Sequence, residues 1–161
     1  MQSDIENLLY LAEDHYLKQL EIQAFQICAA SLAKRLEVYE YLRNHEIDIF
    51  QPIAAELSKV HAAEDPQLLE KALKHWLSIM RYCAMAMLLN NPEYFQRSVL
   101  EWLTEMVQAH QMQSLENTIY DLLFSQLKKL LSLEQFALIK PFLSQAQTTL
   151  LGEKILNTVG G

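Results

Sequence analysis

Pro66-Gln-Leu-Leu-Glu-Lys-Ala-Leu-Lys-His-Trp-Leu-Ser-Ile-Met-Arg-Tyr-Cys83 is the stretch that decides the fold. Asp65 just before it can cap a helix, and Pro66 is preorganised for a first helical position. Leu69, Leu73, Trp76, Met80, Cys83 and Met87 recur at alternating intervals of four and three residues, which places them on one helical face. Glu70, Lys71, Lys74, Ser78 and Arg81 fall elsewhere, and Glu70 with Lys74 makes a favourable i,i+4 pair. A long helix with one buried face is expected, ended by Asn90-Asn91-Pro92.

Working outward, helical patterns fill the chain. Ser3-Asp-Ile-Glu6 matches a capping box, for a first helix to about Asp14. A second pattern runs from Leu17 to Asn44, with Leu20, Ala24, Ile27, Cys28, Leu32, Leu36, Tyr39 and Leu42 as its apolar stripe. A third spans Glu46 to His61, with Pro52 in its early part as a start or a bend. Phe95 to Ala109 carries Val99, Leu103, Met106 and Val107. Another helix runs from Ser114 to Leu131. Ser132-Leu-Glu-Gln135 is a second capping box, for a last helix interrupted or kinked near Pro141. Seven or eight helices with short connections are expected, and the tail from Gly152 should fray.

Composition agrees with an all-α domain. The chain has 161 residues, of which 51% are hydrophobic, with only 3 Gly and 4 Pro. That length suits one domain with a sizeable core. The net charge of −7 disfavours binding to nucleic-acid phosphates or anionic lipid. The longest apolar run, Ala84 to Leu89, is far too short to cross a bilayer. Met1-Gln-Ser-Asp-Ile-Glu6 lacks the order of a secretory signal, so a cytoplasmic protein is expected. Cys28 and Cys83 stand apart in apolar patterns, as buried reduced thiols, with no second ligand at metal spacing.

Several residues then resemble one family in order and spacing. Tyr16-Leu17, Glu21, Lys34-Arg35-Leu36 and Leu42 resemble the N-terminal part of phycobiliproteins. Leu73-Lys-His-Trp-Leu-Ser-Ile-Met-Arg-Tyr82 resembles the aromatic-rich pigment helix of that family. Pro92 and Glu105-Met106 fall close to family positions. The resemblance covers about residues 12 to 150. It implies a globin-like phycobiliprotein fold over a single domain, 1–161. Residues 1–31 would form a projecting helical hairpin, 32–151 the globin core and 152–161 the tail.

The departures from the family matter for function. The family attaches and clamps a linear tetrapyrrole through a Cys-Leu-Arg-Asp motif on this helix. The matching positions here are Leu69, Glu70, Lys71 and Ala72. Leucine offers no nucleophile for a thioether, and alanine offers no acceptor for pyrrole N–H groups. Lys71 could meet a propionate, but without the fork of arginine. No covalent bilin is therefore expected. The chain resembles the pigment-less phycobilisome-like globins of cyanobacteria, some of which are associated with bilin biosynthesis. The resemblance implies a regulatory or assembly role, with partners among the proteins of the bilin and phycobilisome system.

Three candidate sites follow. A noncovalent bilin or porphyrin cleft would use Lys71, His75, Trp76, Arg81 and Tyr82, with aromatics stacking on the ring and cations meeting propionates. In the plainer alternative, Leu69 and Ala72 close that cleft and Trp76 is core. Haem would need an iron ligand, for which His75 and His110 are the candidates; otherwise both are partly exposed polar histidines. A partner surface is the third. Residues 3 to 31 carry more apolar side chains than a helical hairpin alone can bury, so a homo- or heterodimer through the N-terminal helices is expected. Leu8, Asp14, Tyr16, Leu17, Leu20 and Arg35 are its candidates; Asp14 and Arg35 resemble residues that ion-pair across the family's subunit interface. The alternative is a hairpin folded back on its own core. No catalytic motif or nucleotide loop is present, so an enzyme is not expected.

Overall fold

A computed structural model describes residues 2–101 and 113–151, the side chains of residues 2, 3, 99 and 100 excepted. Every element in it is helical: α1 Gln2–Asp14, α2 Gln19–Asn44, α3 Glu46–Val60, α4 Pro66–Leu89, α5 Pro92–Phe95 continued by a wide π-turn at Gln96–Leu100, α6 Gln113–Leu130 and α7 Leu133–Leu151. Leu103, Glu105, Met106, Val107, His110 and the 152–161 tail lie outside the described residues.

Local chemistry sets the helix ends. The Gln67 backbone N–H donates to Asp65 Oδ1 at 3.0 Å, and Pro66 follows as the first helical residue, so α4 starts where the Asp-Pro pair places it. It ends at Asn90, whose φ of 48° and ψ of 48° are left-handed. The Asn90 N–H reaches Met87 O and the Asn91 N–H reaches Ala86 O, closing two carbonyls of the last turn. Ser132 and Gln135 complete a reciprocal capping box at α7, with bonds of 3.0 and 3.2 Å.

The helices depart from the sequence expectation at several points, α2 for one starting at Gln19 and not at Leu17. At α1 the helix is already under way at Gln2, before the Ser3 box. At α5 it begins at Pro92, because Asn91 Oδ1 accepts the Tyr94 N–H at 3.0 Å. Asn91-Pro92 is thus both a stop and a start, like Asp65-Pro66 before it. At α7 the helix runs without interruption through Pro141, which is exposed.

The helix α4 is the hub. It packs against α2, α3, α5, α6 and α7. Leu69, Ala72, Trp76, Ile79, Met80, Cys83, Ala86 and Met87 are buried along it, while Leu73 is only half-buried. An aromatic ladder of Trp76, Tyr120, Phe124 and Phe136 ties α4 to α6 and α7, with ring centroids 5.7, 5.8 and 5.1 Å apart. The π-turn is held to α7 by Gln145 and Thr149, which both donate to Gln96 Oε1, and Gln145 also donates to Pro92 O at the start of α5.

The N-terminal part is built differently. α1 rests on α2, and none of residues 19–34 of α2 is buried. From Arg35 onward the same helix enters the core through Val38 and Leu42. Cys83 is fully buried, as expected, and burial pushes its thiol far above the ordinary range. Cys28, expected to be buried, is only half-buried, because α2 has not yet met the body at that point.

Candidate functional site

The first turns of α4 bring Gln67, Glu70, Lys71, Lys74 and His75 around an open hollow of about 410 Å3. Helical spacing does this, since positions 67, 71, 74 and 75 project from adjoining turns on one side. Lys74 Nζ is engaged by Glu70 Oε1 at 2.6 Å. Leu69 and Ala72 turn inward, where both are buried.

His75 carries the feature that sequence reasoning missed. Its Nδ1 lies 3.2 Å from Oε1 of Glu116 in the first turn of α6, with the two side chains 11% and 1% exposed. Among the described residues, the other oxygen, Glu116 Oε2, is buried without a hydrogen-bond partner, and so is Trp76 Nε1. A buried carboxyl joined to a surface-reaching imidazole fixes the ring's orientation. Glu116 could not be singled out from the sequence, where an acid in a helix's first turn is ordinary. Nearby, His61 Nε2, just past the end of α3, lies 2.9 Å from Thr118 Oγ1 and makes a second side-chain link to α6.

The remaining cleft candidates do not join Lys71 and His75. Trp76 is 0% exposed in the core. Arg81 and Tyr82 line a separate hollow of about 520 Å3 between α2, α4 and α5. There Arg81 donates from Nε and Nη2 to the two carboxyl oxygens of Glu46, at 2.8 and 2.6 Å, and this pairing raises the arginine's pKa. Among the described residues, no cluster of three or more His, Cys, Asp or Glu could hold a metal ion.

The partner-surface candidates also divide. Tyr16 is 100% exposed and Leu20 79%, whereas Leu17 is half-buried and Leu8 is buried against the hairpin itself. Leu9, Tyr10, Phe25 and Ile27 join them as exposed apolar side chains. Asp14 is exposed, 3.6 Å from His15, whose Nε2 lies 3.4 Å from Glu21 Oε2. The Lys18 backbone N–H, 2.7 Å away, holds the Glu21 carboxyl below the usual carboxylate range, and His15 adds to this. Arg35 is not on this surface. It is 4% exposed and donates to Ser31 O and Leu88 O within the same chain, since a guanidinium at that depth needs several acceptors.

Together, the helical body around α4 and the leading helix pair define a globin-like, all-α phycobiliprotein fold. The chain matches the family described as Phycobilisome protein over residues 10–150, and it belongs to that family. No curated protein and no solved structure gives a match. Among the described residues, no helix is long and apolar enough to cross a membrane. Among the described residues, no thiol lines the hollow beside Leu69, and Cys83 is sealed in the core about four turns along the helix.

Proposed function

We propose that this chain is an interaction protein of the bilin and phycobilisome system. It is non-enzymatic, carries no covalent pigment and works in the cytoplasm. It acts by clasping a second phycobiliprotein-like subunit, its own copy or a relative, and so regulates bilin synthesis or phycobilisome assembly. One observation carries this reading: Leu9, Tyr10, Leu20, Phe25 and Ile27 on the helix pair, and Tyr16 in the turn between its helices, stand exposed. Apolar groups concentrated in this way mark a surface that gains from a partner.

Sedimentation of the full chain tests it, alone and mixed with pigmented phycobiliprotein subunits. Leu20 and Ile27 lie seven residues apart on one side of α2, 79% and 70% exposed. Replacing both with glutamate spares the core. Two such side chains contribute on the order of 3–6 kcal/mol when buried at an interface, so association should weaken by roughly 10²–10⁴-fold. A double variant that keeps the parent's associated mass removes the clasp.

The His75–Glu116 pair favours a second reading, a noncovalent haem- or bilin-binding sensor. With Nδ1 engaged, Nε2 is left to meet a ligand. Titration with haemin and with a linear bilin should then give a saturable Soret or red-shifted band that Lys71→Ala weakens. An unchanged spectrum removes this reading and leaves the partner surface.

A further inference from the structure

We propose that the hollow between α2, α4 and α5 binds a planar aromatic monoanion, in the simplest case an aromatic carboxylate. Its volume of about 520 Å3 falls in the range of small-molecule sites. Tyr39, Tyr82 and Tyr94 line it, with Leu42 and Met80 buried beneath them. Lining tyrosines and buried apolar side chains suit a flat ring system.

Charge decides the sign of the ligand. The Arg81 guanidinium is already met by both oxygens of Glu46. Arg43, also lining the hollow, has only the neutral side-chain oxygen of Asn44, at 3.1 Å, among the described residues. Among the described residues, the solvent-exposed Arg43 therefore has no carboxylate partner, at a hollow in a chain whose net charge is −7. The hydroxyls of Tyr39, Ser78, Tyr82 and Tyr94 have no hydrogen-bond partner among the described residues either. A carboxylate would take the Arg43 fork and these donors together, whereas a cation would face an unpaired arginine. Lys71 and Arg81 are ten residues apart on α4, about 15 Å along its axis, so this hollow is distinct from the one beside Leu69. The inference does not depend on the partner clasp.

Methionine methyl NMR on the full chain tests it, because Met80 and Met85 line the hollow while Met87 lies in the core. The probe is 2-naphthoate, and neutral 2-naphthalenemethanol is the control. Naphthoate should shift the Met80 and Met85 methyls saturably. Arg43→Gln, an exposed position, should weaken naphthoate about tenfold and leave naphthalenemethanol unchanged. Tyr82→Ala, also exposed, should weaken both. The proposal is overturned if Met80 and Met85 show no saturable shift. It is equally overturned if Arg43→Gln binds naphthoate as the parent does, or if the shifts track Leu20→Glu, which would place binding on the N-terminal face.

Discussion

His75→Ala should lower the unfolding free energy by about 3 kcal/mol, measured by urea denaturation at neutral pH. Glu116 is fully buried, and its carboxyl's bond to His75 is the one it makes among the described residues. Removing the imidazole leaves both carboxyl oxygens buried without a partner. The cost is then mostly the unpaid desolvation of Glu116, not the lost strength of one 3.2 Å hydrogen bond. That distinction makes a second expectation. His75→Leu combined with Glu116→Leu should recover much of the loss, because it removes the buried polar group along with its partner. A double-mutant cycle should show coupling of roughly 1–3 kcal/mol. If His75→Ala stays within about 0.5 kcal/mol of the parent, the pair is not a clamp between α4 and α6.

Such a clamp was beyond the reach of the sequence, and its partners show why. Residues 75 and 116 are 41 apart, and nothing local links a histidine on the shoulder of one helix to an acid in the first turn of another. The legible features were short-range ones. Asp65-Pro66, Ser132 with Gln135, and the four-three rhythm from Leu69 to Met87 all act within one or two turns, and they set α4 and the start of α7 as read. The proposed cleft failed to form one site for a reason helix geometry already contains. Lys71 and Trp76 differ by about 140° around the axis, so they cannot face one ligand. Lys71 and Arg81 are about 15 Å apart along it. Asn91-Pro92 was legible as a stop alone, because the same two residues end α4 and cap α5. Arg35 illustrates the long-range limit most sharply, since the carbonyl it meets is 53 residues away.

Arg35→Ala should cost about 3 kcal/mol and lower the melting temperature by roughly 6–12 °C, to the same extent at every protein concentration. Leu88 is in the last turn of α4, where carbonyls have no partner within the helix. Asn90 and Asn91 close Ala86 and Met87, and the Arg35 guanidinium closes Leu88 at 3.0 Å. Arg35 also holds Ser31 O at 3.2 Å, one turn back on its own helix. A cation at a helix C-terminus is favoured by the macrodipole, and more so when shielded from solvent. The residue therefore fastens α2 to the end of α4 at the point where α2 leaves the exposed hairpin and enters the core. Arg35→Lys keeps the charge but loses the fork that spans two carbonyls, so it should recover only part of the loss. Concentration separates this role from an intersubunit one. A residue that stabilises by pairing across a dimer loses its contribution on dilution, by mass action. A destabilisation that shrinks as the chain is diluted would move Arg35 to the partner surface, whereas a constant one keeps it as the joint between hairpin and body.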